Sequence, residues 1–225
     1  MNNSINCKEL FTINDFFLKE LFSDKKHPWE ILPNLRRLIE SIIEQGIDGY
    51  SLMKPGVLIG KDVSIADSAK IEAPTIIADG CEVRHGAYLR GSVILGKGCV
   101  IGNSSEVKNS ILMDKVQAPH YNYIGDSILG RGVHLGAGAI CSNLRSDKQN
   151  VSVKDGTLCL KTGLRKLGAI LGDGVEIGCG AVLCPGTVIG KNTTVYPLTV
   201  TRGVYPENSI VKDTYTVVSK RSSFE

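Results

Sequence analysis

From Ile59 to Met113 an aliphatic side chain returns at every sixth residue: Ile59, Ile65, Ile71, Ile77, Val83, Leu89, Leu95, Ile101, Val107 and Met113. Four places after each comes a second recurring position, mostly small or aliphatic: Val63, Ala69, Thr75, Cys81, Ala87, Val93, Cys99, Ser105 and Ile111, with polar Gln117 last. Neither a helix nor a run of alternating strands has a period of six, so the pattern predicts a repeat architecture, a β-solenoid. One coil cannot bury its own apolar face, but stacked coils share a dry core and satisfy one another's backbone groups. Turn-forming pairs such as Gly60-Lys61, Gly96-Lys97 and Gly102-Asn103 follow the inward aliphatic and let the chain bend at each corner.

The flanks differ from this body. In residues 1–50, Asn14 and Asp15 precede the apolar stretch Phe16 to Phe22, which predicts a short capped helix that Lys25 to Pro28 break. Apolar residues at Ile31, Leu35, Leu38, Ile39, Ile42 and Ile43 have helical spacing, with Gly46 as the stop, and Pro33 either starts this helix or divides it in two. These helices are expected to cap the open end of the solenoid, the alternative being an interaction module. The β-solenoid, residues 51–205, is interrupted at Ala118 to Tyr123 and resumes with Ile124, Leu129 and Leu135, one step of five followed by one of six. A polar excursion over 143–168 follows, in which Val151, Val153, Leu158 and Leu160 alternate as in a hairpin. Hexads return at Leu171, Ile177, Leu183, Ile189 and Val195, and the tail, 206–225, is expected to cap the far end.

Composition narrows the function classes. A length of 225 residues suits one sizeable domain with a small attached subdomain, and a net charge of +3 is too mild for a nucleic-acid partner. No run of eighteen apolar residues and no secretory leader pattern is present, so no membrane partner is expected. The seven cysteines are scattered, odd in number and without a CxxC pair, which fits a reduced, cytoplasmic protein. Cys81 and Cys99 fall on the inward small position, where a thiol packs as a small hydrophobe.

The repeat has the form of the hexapeptide motif and resembles that of the hexapeptide acyltransferases. The resemblance implies a mainly β chain folded as a left-handed parallel β-helix, with three hexads to a triangular coil and residues eighteen apart stacked on one face. Arg90 and Lys108, eighteen apart, would then stand one above the other with an anion such as phosphate between them, unless both are solvated surface residues. His120 lies in the break, and an imidazole can take a proton from an attacking amine or hydroxyl near neutral pH, although a lone histidine is also a common packing residue. His85, His120 and His134 raise the question of zinc, as in hexapeptide proteins that resemble γ-class carbonic anhydrases. The third ligand expected there is Gly125 in this chain, so no metal is expected. Asn143 opens the excursion with an amide suited to a carbonyl or an amine, or to a turn.

Several segments match more narrowly. AYLRGS (87–92), GNSSEVK (102–108), APHYNYIGD (118–126) and LGAGAICSN (135–143) resemble the acetyltransferase domain of bacterial bifunctional N-acetylglucosamine-1-phosphate uridylyltransferases. Residues 142–205, with SNLRSD, RKLGA and YP, are similar to the C-terminal domain of archaeal sugar-1-phosphate nucleotidylyltransferases with amino-sugar acetyltransferase activity. The resemblance implies an N-acetyltransferase with acetyl-CoA as co-substrate, an amino-sugar phosphate as acceptor and a homotrimer whose sites form between subunits. It gives His120 the role of general base and Asn143 that of orienting the amino sugar. Arg90, Lys108, Tyr123 and Lys166 would bind the sugar phosphate, and Cys179, Gly180, Tyr196 and Arg202 would line the acetyl-CoA slot. Gln149 and Ser152 stand about where the archaeal pattern has lysines, and His134 replaces an asparagine of the bacterial pattern. These departures keep open a second reading, a catalytically silent β-helix that binds a sugar nucleotide or scaffolds a partner enzyme. Nothing in this sequence matches the nucleotide-binding half, so nucleotidylyltransferase activity is not expected.

Overall fold

A computed structural model of the protein describes residues 5–13 and 20–220. Short strands stack into a left-handed parallel β-helix with three faces, made in turn of sheets of nine, nine and seven strands. The first face includes strands Val57–Ile59, Thr75–Ile77, Val93–Leu95 and Ser110–Leu112; the second includes Glu82–Val83, Val100–Asn103 and Gln117–His120. The third includes Tyr88–Leu89, Glu106–Lys108, Tyr123–Gly125 and Ile140–Cys141. The inward residues form one dry column, with Leu89, Leu95, Ile101 and Val107 fully buried in it. Each such side chain contributes about 1.5–3 kcal/mol by leaving water. Cys81 and Cys99 lie in this column, and their thiols donate to the carbonyls of Gly96 and Met113 at 3.0 and 3.1 Å.

The register departs from the six-residue series at one step. Leu112, not Met113, pairs with Leu95 and enters the core, so the step from Val107 is five residues. Val116 and Ala118 take the next inward places, and Gln117 is exposed. The same shortening recurs between Ile124 and Leu129, as the sequence indicates, and both short steps fall at the corner between the third and first faces. Met113 is buried too, but on the outside of the tube.

What buries it is a second apolar layer. Leu58, Ile76, Ile94, Ile111, Ile128, Ile170 and Val188 point outward from the first face and pack against the N-terminal residues. The helices therefore lie along a flank rather than over the open end. Apolar residues on both sides of a strand demand cover on both sides, whereas an end needs only its backbone groups paired. Pro28–Asn34 forms a 3-10 helix and Leu35–Gln45 an α-helix, divided near Pro33, and Gly46 stops the second at φ 76°. The helix expected at residues 16–22 lies largely outside the described residues, although Leu21 and Phe22 are buried. The excursion folds as the antiparallel hairpin Ser152–Asp155 and Leu158–Lys161, and its Val151 and Val153 join the same layer. The sheet ends are closed by antiparallel strands, Ser51–Lys54 on the first face and Val217–Ser219 on the second. The parallel coil itself continues through Ser209–Val211, beyond the boundary at residue 205 expected from the hexads.

The corner between the first and second faces carries an alternating column: Lys61, Asp79, Lys97, Asp114, Arg131, Asp173, Lys191 and Glu207. Asp79, Asp114 and Asp173 each accept a backbone N–H from the basic residue one coil before, at 2.9, 2.9 and 2.8 Å. A slip by one coil would place like charges together, so the column favours a single stacking register.

Candidate functional site

The two five-residue corners bring polar side chains of three successive coils together. Strand register sets Glu106 beside Tyr88, which places Lys108 beside Arg90 on neighbouring coils, as their spacing predicts. Each cation, however, already holds a carboxylate. Arg90 Nη1 donates to Glu106 Oε1 at 2.7 Å, and Lys108 Nζ lies 3.2 Å from Asp126 Oδ2. Asp126 is only 5% exposed and also accepts from Asn109 Nδ2 at 2.8 Å and from Asn143 Nδ2. Asn143, 9% exposed, gives its other amide hydrogen to Tyr123 Oη at 3.2 Å.

The electrostatics follow from this geometry. Burial raises the Tyr123 phenol above its ordinary value; the bond from Asn143 opposes that shift, while the charges of Asp126 and Glu106 reinforce it. The phenol is thus protonated at neutral pH and keeps a proton to donate. Gly125 makes room for the cluster, because a Cβ there would meet Asn143 Nδ2 and Tyr123 Oη, each at 2.6 Å.

The remaining candidates stand apart. His120 ends the strand Gln117–His120 at the opposite rim of the third face, exposed, with no side-chain hydrogen bond among the described residues. Its backbone is tied to the next coil through Gly138 N, at 3.0 Å. Lys166 reaches the cluster only by a backbone bridge to Leu144. Cys179 and Gly180 follow His120's rim downwards, where Leu198 N donates to Cys179 O at 2.9 Å and Tyr196 precedes it at the same corner. Arg202 is at the other rim, lining a cavity of about 420 Å³ with Arg145, Lys154 and Cys184. The four residues expected at the acetyl-CoA slot are therefore split between two corners.

Glu106, Asn109 and Asp126 have no role in the expectations from the sequence, and Gly125 figures there only where a zinc ligand is missing. The five-residue step at Ile124 is the signal that could have found Asp126, since a shortened corner changes which side chains can turn back on the coil above.

Residues 71–164 match the family described as GMPPB C-terminal domain. The chain is 33% identical over 152 residues to the bifunctional sugar-1-phosphate nucleotidylyltransferase/acetyltransferase of Sulfurisphaera tokodaii, covering 60% of this chain and 38% of that protein. It is 34% identical over 208 residues to the bifunctional protein GlmU of Methanococcus maripaludis, covering 91% of this chain and 50% of that one. The chain spans half or less of the length of these relatives. Among solved structures it resembles UDP-N-acetylglucosamine acyltransferase from Campylobacter jejuni, with a TM-score of 0.54 at 11% identity over 73% of this chain and 71% of that one. That likeness concerns the fold alone. By sequence and by fold, the chain is a hexapeptide-repeat left-handed β-helix related to the bifunctional sugar-1-phosphate nucleotidylyltransferase/acetyltransferases.

Proposed function

We propose that this chain is an acetyl-CoA-dependent N-acetyltransferase acting on an amino-sugar phosphate of the hexosamine-1-phosphate kind. The observation that carries the reading is the cluster itself: Arg90, Lys108, Tyr123 and Asn143, from separate segments, share one corner of the helix. Arg90 and Lys108 would hold the phosphate, with Tyr123 as a further donor, and Asn143 would orient the amine. His120 would take a proton from the amine as its lone pair attacks the thioester carbon. The C–S bond then breaks and CoA leaves as the thiolate, with no protein nucleophile required. Acetyl-CoA would lie along the corner that carries Cys179, Gly180 and Tyr196, with Arg202 at the other rim, and Lys166 would approach the phosphate from the excursion.

A homotrimer is part of this reading, and the faces support it. The first face is covered by the N-terminal layer, and the second presents Glu82, Gln117, His134 and Glu176 outward. The third exposes Ile140 and Val200 beside Leu198, which is 82% exposed. An apolar strip of this kind marks an interface, and a second subunit there would stand over the rim that carries His120.

The test is N-acetylation of a panel of hexosamine 1-phosphates with acetyl-CoA. The product should be followed by mass, because the exposed thiols of Cys159 and Cys179 would react with a thiol reagent. Acetylated product is the expected result. Its absence with every acceptor would favour the second reading, a silent β-helix that binds a sugar nucleotide or scaffolds an enzyme; the pairing of both cations with carboxylates is the feature on its side. Gly125→Ala is expected to lower kcat/KM about tenfold to a hundredfold, through displacement of Asn143 and Tyr123, with circular dichroism unchanged. An unaltered kcat/KM would remove Asn143 from the site.

A further inference from the structure

Asp126 stands at the second short corner, in the left-handed region at φ 48°, and connects three coils. Its backbone N–H donates to Lys108 O at 2.9 Å, and its carbonyl accepts from Gly168 N at 2.8 Å, so the residue is pinned at both peptide groups. Its carboxylate receives Lys108 Nζ from one coil before, Asn109 Nδ2 beside it, and Asn143 Nδ2 from one coil after. A carboxylate of this kind can only accept, so the edge that Asn143 turns to it must be its NH2 edge. The second amide hydrogen is spent on Tyr123 Oη. Asn143 Oδ1 is then left without a donor among the described residues, as an acceptor with a fixed direction.

We propose that Asp126 is the positioning residue of this site: it locks the amide of Asn143 so that Oδ1 accepts an N–H of the substrate amine, and it restrains and offsets Lys108. The proposal rests on the acetyltransferase reading. Held by Oδ1, an amine keeps its lone pair directed away from that bond, towards the acyl carbon. The effect of charge is independent of the chemistry. Arg90 and Lys108 against Glu106 and Asp126 give a site of zero net charge, which would bind a phosphate loosely enough to release it.

Asp126→Asn tests both parts, because it keeps the shape while removing the charge and the acceptor-only character. The new amide cannot accept from Lys108, Asn109 and Asn143 together, so Asn143 turns over or loosens, and the site gains one positive charge. The expected result is a kcat lower by about tenfold to a hundredfold. Alongside it, the Kd for glucosamine 1-phosphate, read by calorimetry, should fall by about two- to fivefold, with no such gain for glucosamine. An unchanged kcat would overturn the positioning role. A loss of kcat that tracks a lower melting temperature, with Kd for glucosamine 1-phosphate unchanged or higher, would reduce Asp126 to a structural residue. If the wild-type protein acetylates no amino sugar, the acetyltransferase reading fails by itself, and the two Kd values still decide whether Asp126 restrains the anion-binding charge.

Discussion

His120→Ala is expected to lower kcat for amino-sugar acetylation by about a hundredfold to ten-thousandfold, the range that a positioned general base supplies. The affinity for the sugar phosphate should be retained, because His120 is not among the groups bonded to Arg90, Lys108, Asp126 or Asn143. Stability should move by no more than about 0.5 kcal/mol, since the imidazole is exposed and its loss strands no partner. The backbone bonds at this residue, from His120 N to Asn122 Oδ1 and from Gly138 N to His120 O, do not depend on the side chain. Steady-state kinetics, calorimetry with glucosamine 1-phosphate and light scattering together separate these effects. Unchanged turnover would end the role of His120 as base, and loss of substrate affinity would move it to the binding set.

The separation of His120 from the amide cluster bears on the assembly as well as on the chemistry. Within one subunit the anchors occupy one rim of the third face and the histidine the other, with the side chain of Tyr123 bridging much of that width to Asn143. A substrate held by the anchors would lie across an exposed face that carries Ile140 and Val200 further down. In the proposed trimer a second subunit closing over that face would meet both facts and exclude water from the reacting amine.

The β-helix was legible in the sequence because its core is a one-dimensional code: an inward aliphatic at each step, with small residues between. Stacking of Arg90 on Lys108 follows from that code once the resemblance sets three hexads to a coil, and is seen in the strand register. The carboxylates opposite them were not legible in that way. Glu106 and Asp126 lie sixteen and eighteen residues from their partners, and only the side-chain direction at a corner decides whether they meet. The flank position of the helices had a signal that period six alone does not express. Triplets with an apolar middle member, such as Val57-Leu58-Ile59, Thr75-Ile76-Ile77 and Val93-Ile94-Leu95, recur every eighteen residues, and those middle members need a cover of their own. That second apolar column is also why Met113 fits the six-residue series without entering the tube: it sits next to Leu112 and is buried against the outer layer instead of the inner one.

Val116→Lys and Gln117→Lys decide the register at that step, since the unbroken six-residue series would put residue 117 inside and residue 116 outside. In the structure Val116 is fully buried in the apolar column of the tube, between the coils of Cys99 and Val133. An unpaired charge there should cost about 3–5 kcal/mol, enough to unfold many domains of this size. Gln117 is exposed and its side chain makes no bond among the described residues, so a lysine at that position should shift stability by less than about 0.5 kcal/mol. If Val116→Lys does not accumulate as folded protein, Val116→Ala gives the same answer more gently, at about 1–3 kcal/mol in a denaturant titration. The opposite ranking, with Gln117→Lys the damaging change, would restore Met113 to the core and dissolve the five-residue corner on which Lys108 and Asp126 meet.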